Sequence, residues 1–443
     1  MTRSFHLLLP GLLFPMFPGL GHGHDSLPGR SQERPVLLHN AVIHPVSSEP
    51  VPGGWLLFDD GHIRALGPPD TLPAAVPNAE VIDLESASLY PGFISAHSAL
   101  GLVEINAVRA TRDLSEPGAI TPNLRAQIAV NPDSELIPVA RANGVLTALT
   151  VPQAGRGGFV SGTSALIALD GWTWEDMTLQ APVGLHAFWP SFPPPADSSE
   201  EGDRASARDA GAARIREFEE TLAQARAYQK ARDNPDPQFR GDLRLEALLP
   251  LLRRELPLFV HAETLTQIQS ALNFTAREEL RMILVGGYDA WRLAPLLRER
   301  DVPVVLSATQ RLPRRRADPY DIPFRAAAEL EAAGVRFCIA NTGSESQAPK
   351  ERNLPYQAAQ AAAYGLDPAE ALRAITLSPA VILGVADRLG SLEPGKDATL
   401  FVSTGDPLET RSQVTRAWIR GREIDLSNRQ TRLYEKYLQR NQD

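Results

Sequence analysis

Only three of the nine histidines fall where chemistry can be built. His6, His22 and His24 lie in the N-terminal apolar leader, and His39, His44 and His62 in a stretch of short alternating runs. His97, His186 and His261 remain, each near the C-terminal end of a short apolar run that reads as a strand. Three imidazoles with an open fourth position form a zinc arrangement that acidifies a bound water. Glu263, two residues past His261, shares its face if the strand continues, and is the candidate base. A two-cation site built on four imidazoles is excluded by the count alone. A blander reading of the same residues keeps His97 and His261 hydrogen-bonded in a polar pocket that binds nothing, with His186 half-buried beside Phe188 and Trp189.

Other chemistries find less to stand on. Cys338, the sole cysteine, sits in the apolar run VRFCIA, reads as a buried small hydrophobe, and permits neither an intrachain disulfide nor a zinc-ribbon. There is no G-x-S-x-G elbow and no phosphate-cradling G-x-x-x-x-G-K run. The segment GGYDAWR offers Tyr288 and Asp289 as ligand-contacting residues in a loop, although Asp289 also suits a cap on the helix that follows. The basic loop QRLPRRRADPY, with Arg311, Arg314, Arg315 and Arg316, suits either an anion clamp or a solvated loop.

These residues need a scaffold of 443 residues to hold them, and 43% hydrophobic content is enough for a sizeable core. A net charge of -9 argues against nucleic-acid or anionic-membrane partners and for a small-molecule ligand. Residues 1–24 pair Arg3 with a short apolar stretch broken by Pro10, Pro15 and Pro18, the layout of a signal peptide with no stable membrane span, so export to the periplasm or medium is expected. Alternating runs over 34–90 return over 386–425, which places both ends in one composite β-domain, expected as a small β-sandwich. Between them, over 91–385, apolar runs alternate with amphipathic stretches, the pattern of repeated βα units and of an α/β fold, a (β/α)8 TIM-like barrel. A polar insertion at 191–242 interrupts the rhythm, as a lid or a solvated excursion, and 426–443 reads as a surface helix.

The segments LYPGFISAHSALGL, NPDSELIPVARANGVLTAL, VHAET and the long block from Asn353 to Val402 resemble the amidohydrolase superfamily, in particular the imidazolonepropionase-like branch of exported amidohydrolases. The resemblance implies hydrolysis of non-peptide carbon-nitrogen bonds of the cyclic amide type, at divalent metals in the barrel mouth. It also implies ligand positions, and here many are altered. His97 matches the first histidine of strand 1, but the second falls on Ala99 and a preceding acid on Ser95. His261 matches strand 5, His186 stands at the strand 4 position, strand 6 gives Gly286, and the strand 8 aspartate falls on Asn341 or Thr342. Those two join Tyr288, Asp289 and Arg311 as candidate substrate contacts. The set leaves room for one divalent cation, zinc by ligand type, or none. The alternative is a non-catalytic paralogue that binds a small ligand, forms homo-oligomers or pairs with an active relative.

Overall fold

The computed structural model describes residues 27–191, 201–233 and 239–440, so the leader at 1–24 and part of the polar loop after Ser191 lie outside the described residues. Among the described residues no helix is long and apolar enough to cross a membrane.

The alternating segments at the two ends join one eight-stranded sheet. Val51–Asp59 runs antiparallel to both Val36–Ile43 and His62–Gly67. Asp60 and Gly61, at φ 49° and 74°, make the two-residue turn, with both residues in the left-handed region that such hairpins require. Val36–Ile43 changes partner at Asn40: its first half pairs with Glu80–Asp83, its second with Ser88–Pro91. Ser88–Pro91 then pairs with Leu400–Ser403, which carries Val414–Ile419 and Arg422–Glu423. All eight strands belong to one hydrogen-bonded sheet. Its own core includes Leu38, Leu56, Phe58, Leu400 and Trp418. Phe401 stacks on Tyr90 at 5.6 Å and meets Phe93 edge-on at 4.9 Å, so one aromatic chain ties this sheet to the centre of the molecule.

The centre is a mixed α/β assembly. Phe93–Ser98 pairs in parallel with Val145–Thr150. A second run of parallel neighbours comprises Leu185–Phe188, Leu258–Ala262, Met282–Gly286, Val304–Ser307 and Phe337–Ala340. Val160–Thr163 and Ala165–Ala168 lie antiparallel to strands of the two runs, where the expected repeat would have supplied another parallel strand. The hydrogen bonding therefore forms two arcs, of four and six strands, and the outer strands Phe93–Ser98 and Phe337–Ala340 are in contact. Ile94, Phe259, Val285, Val305 and Cys338, on strands of both arcs, pack into one buried cluster. Burial of this kind pushes the Cys338 thiol well above its ordinary pKa and leaves it an inert small hydrophobe.

Helices follow the parallel strands. Leu265–Arg277 starts at Thr264, whose side chain and that of Gln267 form a reciprocal capping box directly after the His261 strand. The long helix Glu201–Asp233 is polar in composition, yet Phe218, Leu222 and Ala225 on one stripe are fully buried. Phe218 stacks on Phe274 at 5.5 Å and meets Phe159 at 5.6 Å, so this part of the insertion is docked rather than solvated. Arg429–Arg440 is a helix with no buried residue.

Candidate active site

His97, His186 and His261 stand on three different parallel strands and their rings meet. Centroids are 5.0 Å apart for His97 and His261 and 5.2 Å for His186 and His261. The Phe188 ring lies flat on His261 at 4.0 Å, and Phe259 stacks on His186 at 4.7 Å. Gly343 forms the remaining wall: at φ 63°, an added Cβ there would fall 2.3 Å from the His97 ring.

Low polarity fixes the charge of this cluster. Burial lowers His97 from an ordinary pKa of 6.5 to about 4. It takes His186 and His261 well below theirs, and the neighbouring imidazoles push the same way. All three rings are therefore neutral at neutral pH, the form in which imidazole either ligates a metal or exchanges single hydrogen bonds. Here His186 Nδ1 and His261 Nε2 are 2.9 Å apart, so one donates its proton to the other. His97 Nδ1 and His186 Nε2 are buried without a partner among the described residues.

Glu263 is not a free base above these rings. Its carboxylate accepts both guanidinium ends of Arg311, at 3.2 and 3.0 Å, and the Tyr288 amide at 3.1 Å. Gly286 makes room for it, since an added Cβ would lie 3.1 Å from Glu263 Cδ. The position where the resemblance expects a strand 6 histidine is thus packed against an ion pair.

Asp289 also departs from expectation. It makes no side-chain cap on the Ala290–Leu293 turn that follows; its Oδ2 accepts the Leu265 amide at 3.0 Å and so caps the preceding helix. Arg315 Nη1 donates to the same oxygen at 2.8 Å, and Arg315 Nη2 holds the other. Tyr288 donates to Asp318 at 2.6 Å and lies beneath Arg311, Arg314 and Arg315, with the Arg311 guanidinium 4.7 Å above its ring. Arg311 and Arg315 are therefore spent on internal carboxylates, and among the described residues no ion pair engages the other two candidates for an anion clamp, Arg314 and Arg316.

Asn341 and Thr342 part company. Thr342 Oγ1 joins a hydroxyl ladder with Ser344 at 2.9 Å. Asn341 Nδ2 donates at 2.9 Å to Glu351, which also accepts from Ser95 at 2.7 Å. Glu351 is fully buried, one oxygen has no partner among the described residues, and burial raises it from an ordinary 4.5 to about 7. Sequence reasoning missed it. It comes from the 3-10 segment Ala348–Asn353 and contacts the two positions, Ser95 and Asn341, where the resemblance expects acids.

Do these residues fit a metal? Among the described residues, no group of three histidine, cysteine or carboxylate side chains is arranged to hold one. Two of the three imidazoles point nitrogens at each other, Glu263 is closed off by Arg311, and Glu351 bonds Ser95 and Asn341. A two-metal set does not fit, and a one-metal set requires breaking the His186–His261 hydrogen bond.

A model of the amidohydrolase family matches residues 316–424. The matched stretch contains Asn341, Thr342 and Glu351 but none of the three histidines. Amidohydrolase tasK of Hapsidospora irregularis is 24% identical over 92% of this chain, which spans 44% of that relative's length. The crystal structure of an amidohydrolase from Thermotoga maritima superposes with a TM-score of 0.76 at 26% identity, covering 88% of this chain and 99% of that one. A zinc-bound adenosine deaminase from Xanthomonas campestris, at 20% identity and TM-score 0.52, covers 92% of this chain and 98% of its own and shares the fold. Amidohydrolase structures are TIM-barrel proteins, and the mixed α/β fold seen here matches them.

Proposed function

We propose that this amidohydrolase-type chain is a small-molecule binding protein whose barrel mouth has given up metal-dependent hydrolysis. The observation that carries this reading is the direct His186–His261 hydrogen bond inside a buried, uncharged imidazole cluster. Neutral imidazoles offer a ligand single hydrogen bonds through His97 Nδ1 and His186 Nε2, and the Phe188 ring walls the cluster. The two strand arcs are taken to close as one (β/α)8 barrel set against the terminal sheet. On the Pro91–Gly101 and Asn353–Val402 motifs the chain is placed with the imidazolonepropionase-like branch. Export, and pairing with a second copy or an active relative, belong to the same proposal.

A second reading has one observation in its favour: the three rings converge and stay neutral, as ligands of a single divalent cation must. Bound there, such a cation would acidify water for attack on a cyclic amide. Incubation with zinc and a cyclic amide such as hydantoin separates the two. The binding reading expects no turnover above a His97→Ala control, and turnover that vanishes in that control would replace it with the one-metal hydrolase.

A further inference from the structure

The opposite end of the parallel strands holds a cavity of about 880 Å³ that the histidine cluster does not share. Its walls are the residues that lead into the strands: Pro257 before Leu258–Ala262, Arg281 before Met282–Gly286, Pro303 before Val304–Ser307, and Arg336 before Phe337–Ala340. The apolar part of its lining includes Leu256, Met282 and Leu383.

Its rim is basic in a chain whose net charge is -9. Arg254, Arg281, Arg300 and Arg336 face Glu255 and Asp301. Asp301 is taken by Arg336 at 2.6 Å, which leaves three arginines against Glu255. Arg281 and Arg300 are held in place by backbone carbonyls, of Arg254 at 3.2 Å and of Leu272 at 3.0 Å. A carbonyl positions a guanidinium without neutralising it, and one such bond leaves most of the five N–H donors free. The volume lies in the range of sites for small organic ligands.

We infer that this basal cavity is a binding site for an amphipathic carboxylate, its head on Arg281 and Arg300 and its apolar body on the apolar lining. A planar carboxylate matches the guanidinium fork, and a short acyl chain matches the apolar lining, a combination that neither inorganic phosphate nor a neutral alcohol satisfies. The competing role for these arginines is to offset the carbonyls at nearby helix C-termini, which needs no ligand.

Calorimetric titration of the full chain with octanoate, and with octanol in parallel, distinguishes the two. Saturable octanoate binding is expected, weakened at least about tenfold by the Arg281→Ala/Arg300→Ala double variant, with octanol binding feebly and equally to both. Should that variant fail to fold, octanoate must protect Arg281 and Arg300 of the intact protein from phenylglyoxal. Absence of octanoate binding, equal binding by the variant, or no protection would overturn the assignment. This test does not depend on the reading of the histidine cluster.

Discussion

The two ends of the same parallel strands are electrically opposite. At the C-terminal end, where barrel enzymes build their sites, the charges nearest the cluster are answered from within: Arg311 by Glu263, Arg315 by Asp289 and Asp318, and the imidazoles by losing their protons to burial. At the N-terminal end, Arg281 and Arg300 rest on carbonyls, and the rim's arginines outnumber its carboxylates. On the reading proposed above, the difference teaches that the fold's usual site has become packing, while the end usually reserved for stability holds the binding capacity.

The largest expected effect that would break this comparison is on acid stability. An imidazole depressed in the folded state leaves stability intact above its unfolded pKa and removes it as pH falls below that value, because only the unfolded chain then takes up protons. His97, moving from 6.5 to about 4, accounts for about 3 kcal/mol across that window, and His186 and His261 act in the same direction. Glu351 opposes them: raised from 4.5 to about 7, it is protonated in the folded state, stabilises at low pH, and loses that contribution as pH rises through 7. Denaturant titrations at a series of pH values should therefore show a steep loss below pH 6.5, steeper still in Glu351→Gln. A flat profile between pH 6.5 and 4 would mean the cluster is hydrated and open.

Gly343→Val comes next. Its side chain meets the His97 ring and its backbone enters the left-handed region, so a loss of about 3 kcal/mol is expected in chemical denaturation. A neutral result would show that His97 swings free of the cluster. Removing arginines sharpens the contrast between the two ends directly. Arg315→Ala takes from the fully buried Asp289 carboxylate the nearer of its two guanidinium partners, Arg292 at 3.5 Å being the other, and should cost about 2 kcal/mol. Arg311→Ala at the partly exposed Glu263 pair should cost about 1 kcal/mol. Arg281→Ala at the basal rim should change stability by less than about 0.5 kcal/mol, because among the described residues it bonds a carbonyl and no carboxylate. Equal costs at both ends would erase the distinction.

Much of the scaffold is legible in the sequence for simple reasons. Apolar runs such as RMILVGG and VPVVLSA become parallel strands because both faces of such strands are covered. The Asp60–Gly61 turn announces its hairpin. The docking of the long polar helix was also written there, in the spacing of Ile215, Phe218, Leu222 and Ala225, but the overall composition hides a stripe that narrow. Counting alone isolates His97, His186 and His261. What no count supplies is the hydrogen bond between His186 and His261, since it depends on how two rings turn toward each other across 75 residues. Glu351 lies 256 residues from Ser95, and only the folded chain makes them neighbours. The fate of Glu263 and Asp289 was hidden likewise, because their partners come from a basic loop that reads as solvated until its arginines are seen stacked on Tyr288.

Metal content tests the central claim most directly. Elemental analysis of full-length protein purified without chelator, then dialysed after exposure to excess zinc, should find less than one equivalent of transition metal per chain. One or more equivalents that survive dialysis, and that are lost in His261→Ala, would contradict the account.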